Sequence, residues 1–149
     1  MKRLGRNMTL FIAFAIIALL GLMALVRLAP VDPAVWNVAP PAATNPAQGV
    51  QPFTGGARAD LTLPPDQARA TLAALDRIAT QTPRTRRLAG SVDEGRITWE
   101  TRSALWGFPD YTTAQITPMG LTLYARLRFG REDMGVNADR LRAWLAALA

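Results

Sequence analysis

The hydrophobic pattern opens with one unbroken apolar run near the start of the chain. Residues 8–26 include no charged side chain, and only Thr9 and Gly21 interrupt the large apolar residues and alanines. At about 1.5 Å per residue, a helix of this length spans roughly 28 Å, close to the roughly 30 Å hydrocarbon core of a bilayer. A core helix of a soluble protein would show a polar stripe. The run therefore predicts a transmembrane helix, placed at residues 8–28.

The charges around this run predict its orientation. Three cations precede it and one follows it: Lys2, Arg3, Arg6 and Arg27. The positive-inside bias then places residues 1–7 in the cytoplasm and the rest of the chain outside, which in a bacterium is the periplasm. A cleaved signal peptide is the alternative, but it needs a shorter apolar stretch and a small-residue site. The site after Ala29 is flanked by Arg27 and Pro30, so we expect an uncleaved anchor in the bacterial inner (plasma) membrane.

A proline-rich segment at residues 29–58 follows the apolar run. Six of the 11 prolines fall within residues 30–56. Proline fixes φ and removes backbone donors, so this segment predicts an extended linker. Val35 and Trp36 are unusually apolar for a free linker. We expect them either to pack on the folded domain or to lie at the level of the lipid headgroups, and a partner-binding motif there stays open.

The remaining residues, 59–149, show the periodicities of a small α+β domain. Apolar residues at spacings of three and four, opened by Pro64-Pro65-Asp66 and ended by Thr82-Pro83, predict a first helix. Alternating patterns then predict strands at residues 86–92, 96–103, 110–117 and 121–129, with a further strand-like stretch at 59–63. A final helix follows, with Asn137 as its expected N-cap. The expected fold is the transmembrane helix plus a domain of helix, antiparallel three- to four-stranded sheet and C-terminal helix.

The alternation gives the predicted sheet one apolar and one polar face. In the last strand, Leu121, Leu123 and Leu127 alternate with Tyr124 and Arg126. The simplest packing places both helices of the domain on the apolar face.

Composition narrows the range of functions. The chain has no Cys and no His, which excludes thiol and imidazole nucleophiles, zinc fingers and disulfide scaffolds. The net charge is +6, but residues 1–29 carry four cations and no acid, which leaves +2 for everything that follows. That is too weak a charge for nucleic-acid binding. We expect no cofactor and no metal.

Several strings near the C-terminus resemble the bacterial domain-of-unknown-function family 1499. These are Arg102-Ser103, residues 107–111 (GFPDY), residues 124–137 (YARLRFGREDMGVN), Arg140 and Trp144-Leu145. The family ends in a string like R-S-R-x-G-x-S-D-x-G-V-N before a terminal helix. Here Leu127 and Glu132 replace its two serines. The resemblance covers roughly residues 82–148. It implies a relationship to this family but no particular biochemical activity.

The loop at residues 130–137 is the first candidate site. Gly130 and Gly135 permit a tight backbone path, while Arg131, Asp133 and Asn137 supply charges and an amide. As a ligand or partner loop, it would use Arg128 and Arg131 to bind an anionic group. The alternative is structural, with Asp133 paired to an arginine and Asn137 capping the helix.

The polar sheet face is the second candidate site. It is expected to carry four arginines together with Glu100, Tyr111 and Tyr124: Arg96, Arg102, Arg126 and Arg128. Such a face suits carboxylate or phosphate recognition, although cross-strand Arg–Glu pairs on a solvated sheet are the simpler interpretation. Residues 106–110 (WGFPD) form the third candidate, as a buried corner or an exposed apolar interaction site.

Three functions follow from these patterns. The leading hypothesis is a non-enzymatic binding or assembly module at the inner membrane, whose partners are the lipid bilayer and, still open, a membrane protein or a lipid. The second is a helix-grip-like carrier of a small ligand or lipid, which needs a hollow lined by Trp99, Leu123 and Trp144. The third is a hydrolase that uses the loop at residues 130–137, with Asp110 and Asp133 as a carboxylate pair.

Overall fold

The computed structural model describes residues 2–43 and 49–148. Ten elements follow in chain order: α1 Lys2–Leu28, α2 Pro33–Trp36, β1 Val50–Phe53, β2 Gly56–Thr62, α3 Pro65–Gln81, β3 Thr85–Ser91, β4 Arg96–Arg102, β5 Pro109–Thr117, β6 Gly120–Leu127 and α4 Val136–Ala146. The α+β class predicted from the periodicity is confirmed.

The first helix, α1, presents its apolar side chains outward. Its segment Asn7–Leu28 has a mean hydropathy of 2.8 and is long and apolar enough to cross a membrane. Every side chain from residue 7 to residue 22 is exposed. Among residues 7–28, the side chain that is buried against the rest of the chain lies near the C-terminal end, where Val26 is 6% exposed. A helix with this much bare apolar surface is not part of a protein core.

The strands form one sheet of six, in the order β1-β2-β6-β5-β4-β3, and every neighbouring pair is antiparallel. The expectation of three to four strands was therefore too low. The additional pairing comes from β1 and the start of β2, which lie inside the segment that the composition assigns to the linker. Pro52 lies in β1, and an edge strand tolerates a proline because it needs fewer backbone donors.

Both α3 and α4 pack on the apolar face of the sheet, as predicted. The two tryptophans at the centre of this layer meet edge to face, with ring centroids of Trp99 and Trp144 at 5.5 Å. Each indole N–H has a partner, since Trp99 Nε1 donates to Asp76 Oδ1 at 2.9 Å and Trp144 Nε1 donates to Thr82 Oγ1 at 3.0 Å. Trp99, Leu123 and Trp144 are each at most 2% exposed. Side chains thus fill the space where a helix-grip carrier would need a hollow.

The packing of this core predicts a large effect of Leu123→Ala, because Leu123 lies on the central strand β6 and is fully buried. We expect the free energy of unfolding to fall by about 2–5 kcal/mol, the usual cost of such a cavity. Urea unfolding of the full chain in detergent micelles, followed by tryptophan fluorescence, measures this change. Met119→Ala in the exposed β5–β6 turn is the control and should stay within about 0.5 kcal/mol of wild type. Equal effects of the two changes would contradict the packing.

Candidate functional site

The polar face of the sheet is covered by residues 29–43, here called the strap. The strap contains α2, whose Trp36 stacks on Tyr111 with ring centroids 4.0 Å apart. The guanidinium carbon of Arg126 lies 5.3 Å from the centroid of the Trp36 ring. Of the two positions expected for Trp36, packing on the domain is the one found.

Arginines hold the strap through its backbone carbonyl groups. Four guanidinium groups donate to four strap oxygens: Arg128 Nη2 to Pro30 at 2.8 Å, Arg126 Nη2 to Trp36 at 2.7 Å, Arg96 Nη1 to Asn37 at 3.0 Å, and Arg58 Nη1 to Pro41 at 2.5 Å. Thr98 Oγ1 also donates to the Asn37 side-chain oxygen at 3.0 Å. Burial beneath the strap lowers the pKa of Arg126. The cationic face therefore binds a segment of its own chain.

Two acidic side chains on the same face are paired with arginines. Glu100 is 1% exposed and contacts Arg102 at 2.5 Å and Arg86 at 3.1 Å. Asp60 pairs with Arg58 and accepts a hydrogen bond from Thr122 at 2.6 Å. Burial acts to raise the pKa of Asp60, but the Arg58 and Thr122 hydrogen bonds hold it below its usual value. The Arg86–Glu100 pair is the cross-strand Arg–Glu contact that the alternation made the simpler expectation. The pairs Arg102–Glu100 and Arg58–Asp60 each lie within one strand.

The Asp133 side chain, rather than Asn137, caps α4. The helix begins at Val136 after Gly135, which has φ +82° and so adopts a conformation that favours glycine. Asp133 Oδ1 accepts from Gly135 N at 3.2 Å, and its Oδ2 accepts from Asn137 N at 3.0 Å. Burial acts to raise the pKa of Asp133, but hydrogen bonds from Asn137 and Gly135 hold it below its ordinary value. The prediction of Asn137 as N-cap was wrong because the left-handed glycine places Asn137 in the first turn.

Asp110 and Asn137 meet Arg140 where β5 approaches α4. Arg140 Nη2 lies 3.2 Å from Asp110 Oδ2, and its Nη1 donates to Asn137 Oδ1 at 2.6 Å. Burial raises the pKa of Asp110, the Arg140 charge opposes the rise, and the Asp133 charge adds to it. Asp110, Asp133 and Asn137 thus form one electrostatic cluster at the start of α4. Their polar atoms bind the helix terminus and Arg140, which is the structural interpretation of this motif.

The other candidate residues lie outside that cluster. Arg128 turns to the strap, and Arg131 is exposed and makes no hydrogen bond or ion pair with the described part of the chain. Within residues 2–43 and 49–148, no three acidic residues come together as metal ligands would. Sequence reasoning missed Arg58 and Asn37 as strap contacts. Arg58 alternates with Ala57 and Ala59 and could have been placed on the polar face by period, whereas nothing local marks Asn37.

The C-terminal end of α1 contacts the loop between β4 and β5. Arg27 Nη2 donates to Leu105 O at 3.2 Å, and Arg102 Nη1 donates to Arg27 O at 3.3 Å. A Cβ at Gly107 would lie 2.8 Å from Arg27 Cγ, so the loop and the helix end touch directly. The folded domain therefore begins where the apolar helix ends.

The cap on α4 predicts an acid-dependent effect of Asp133→Asn. We expect the free energy of unfolding at pH 7 to fall by about 1 kcal/mol, because α4 loses a charged acceptor at its N-terminus. The folded pKa of Asp133 lies below its ordinary value of 3.8, so the wild-type advantage is complete above that pH. It disappears as the pH falls through the folded pKa. Urea unfolding from pH 7 down to about pH 2 measures this, and Glu132→Gln in the same loop is the control. A difference unchanged at the acid end would refute the assignment.

The strap contacts predict that Trp36→Ala loosens residues 29–43. Loss of the stack on Tyr111 and of the Arg126 contact should cost about 1–2 kcal/mol, which raises the open fraction of the strap roughly 5- to 30-fold. Limited proteolysis of the full chain in detergent, with cut sites mapped by mass spectrometry, measures that fraction. Val35→Ala is the matched control, since Val35 is 59% exposed in the same short helix. Equal cleavage rates for both variants would show that Trp36 does not secure the strap.

Comparison with known proteins identifies a family and no individual relative. The profile of the family described as protein of unknown function (DUF1499) matches residues 28–148. No curated protein and no solved structure matches the chain. The match includes the strap, the sheet and both helices of the domain, and it extends well beyond the C-terminal strings that carried the resemblance. The chain belongs to the DUF1499 family.

Proposed function

We propose that this protein is a non-enzymatic binding or assembly module held in the bacterial inner membrane by one helix, with its domain on the periplasmic side. The observation that carries the proposal is the exposed apolar helix joined directly to a folded domain. Residues 7–22 of α1 find no cover in the described chain, and the bilayer is the environment that removes such a surface from water. The cations before the span support a cytoplasmic N-terminus.

A binding role is favoured over catalysis by the state of the candidate carboxylates. Asp110 is paired with Arg140, and Asp133 accepts two backbone N–H groups. A general acid or base needs a free position toward a substrate, whereas these oxygens are engaged in holding α4. The hydrolase alternative still makes a distinct prediction, since it requires an activity that Asp133→Asn and Arg131→Ala would abolish.

The carrier alternative receives less support than the binding module. The three side chains that would line its hollow are buried in one core cluster, and its two tryptophan rings meet edge to face. An apolar groove does lie on the outside of the helical layer, between α3, α4 and the end of β2, lined by Leu61, Leu63 and Leu145 among others. Nothing in the structure specifies an occupant for it, so it supports binding in general and no particular ligand.

The anchor predicts that the full chain stays in the membrane fraction after an alkaline carbonate wash. Ile17→Arg with Leu20→Arg should release it, because each charge at the centre of a span costs about 2.5–3.5 kcal/mol. Thr9→Ser is the control and should leave the chain in the membrane. Intact mass of the extracted chain should include residues 1–29. A soluble chain that begins near Val31 would refute the anchor.

The orientation predicts that alkaline phosphatase fused after residue 149 is active, since this enzyme functions outside the cytoplasm. Replacing Lys2, Arg3 and Arg6 by glutamate should reduce that activity, because the positive-inside bias is lost. An active cytoplasmic reporter at the same position in the unaltered chain would overturn the proposed orientation while leaving the anchor intact.

A further inference from the structure

An apolar and cationic surface surrounds the point where α1 meets the domain. We call it the rim and define it by four apolar and three cationic residues: Leu105, Trp106, Phe108 and Phe129 with Arg27, Arg84 and Arg131. Leu105 is 68% exposed and Phe129 is 40% exposed. The Phe108 ring centroid lies 6.4 Å from that of Trp106 and 6.2 Å from that of Phe129. The three aromatic rings thus form one continuous row.

The rim lies at the same level as the end of the apolar helix. Arg27 and Leu105 are hydrogen-bonded, and Arg128, next to Phe129, donates to Pro30 O just beyond the helix. These two hydrogen bonds, one to the β4–β5 loop and one from the residue after β6, hold residues 27–30 against the domain. A membrane that covers Asn7–Leu28 therefore ends where the rim begins.

The cationic residues of the rim have no acidic partner among the described residues. Arg27, Arg84 and Arg131 are exposed, and none of them forms an ion pair with the described residues. Arg27 and Arg84 each donate one hydrogen bond to a backbone carbonyl, of Leu105 and Arg102 respectively. Arg27, Arg84 and Arg102 line a cleft of about 400 Å³ beside Ser103 and Gly107, and no acidic residue lines it. Guanidinium groups donate in a fork that matches phosphate oxygens.

We propose that the rim is immersed in the headgroup region of the membrane that α1 spans, and that the arginine cleft binds the phosphate of a phospholipid. Tryptophan and phenylalanine beside arginine are the side chains typical of a bilayer interface, where apolar bodies reach the acyl boundary and cations meet headgroups. The apolar row is continuous with the end of the span, which favours lipid as the occupant over a second protein. The proposal depends on the membrane anchor proposed above.

The absence of cysteine from the chain permits a direct test with single-cysteine variants. The full-length protein is placed in vesicles of phosphatidylcholine and phosphatidylglycerol. Each variant carries an environment-sensitive fluorophore on one cysteine, introduced as Leu105→Cys, Met119→Cys or Leu20→Cys. Met119 is 71% exposed, close to the value for Leu105, but it lies beyond the far end of β5, about 30 Å away by strand length. Lipids with a nitroxide at a shallow depth quench fluorophores in the interface, and lipids with a nitroxide near the end of the acyl chain quench fluorophores at the centre of the bilayer.

The three variants separate the possible outcomes. We expect the deep nitroxide to quench position 20, the shallow nitroxide to quench position 105, and neither to quench position 119. Quenching at 20 alone would overturn the rim proposal and leave the anchor standing, whereas no quenching at 20 would refute the anchor itself. A blue shift at 105 that depends on the protein-to-lipid ratio, without nitroxide quenching, would identify a second copy as the occupant and also overturn the proposal.

The cleft is tested by phosphatidylglycerol added to the Leu105→Cys protein in detergent micelles. The lipid concentration for half-maximal fluorescence change should rise about fivefold in an Arg84→Gln background, the usual contribution of one cation near an anionic lipid. Arg69→Gln, at the opposite end of the domain, is the control and should leave the midpoint unchanged. The same midpoint in both backgrounds would refute phosphate binding by the cleft.

Discussion

The structure depends on a match between arginine side chains that can only donate hydrogen bonds and a proline-rich segment that mainly accepts them. A guanidinium group has no acceptor, and proline has no backbone N–H, although it keeps its carbonyl group. The strap therefore presents carbonyl oxygens with few competing donors, and Arg58, Arg96, Arg126 and Arg128 take four of them. Without the strap these cations would face water on an open sheet; with it they lie partly buried, and each donates to a strap carbonyl oxygen.

This match also determines how the domain is attached. A proline-rich linker ordinarily acts as a semi-rigid spacer that holds a domain away from its anchor. Here the same residues run back across the sheet, while Arg102 holds the Arg27 carbonyl and Arg128 holds that of Pro30. The domain is consequently close to the end of α1. Its attachment to the helix end is made by Arg102 on β4 and by Arg128 directly after β6.

Local periodicity predicted the regular elements well, and it failed where contacts are distant in sequence. The helix α3 and the turns around Gly95 and Gly120 follow from proline, glycine and alternation. Strand β1 was not predicted, because Pro52 and the glycines near it resemble linker composition. Only its pairing with Ala59 and Arg58 makes it a strand. Likewise, alternation placed Arg126 on the polar face, but no local pattern states that Trp36, 90 residues away, covers it.

The candidate loop illustrates how a site motif can be recognised while its role is misassigned. The sequence marked Asp133 and Asn137 as polar residues near a helix start, and both are there. The left-handed backbone at Gly135 shifts the helix so that the acid caps and the amide accepts from Arg140. Arg140 in turn compensates the buried charge of Asp110, since an unpaired carboxylate in that position would carry a large desolvation cost. Cap, amide and ion pair therefore stabilise one another, which is why the same residues that resemble a ligand loop are occupied in joining α4 to the sheet.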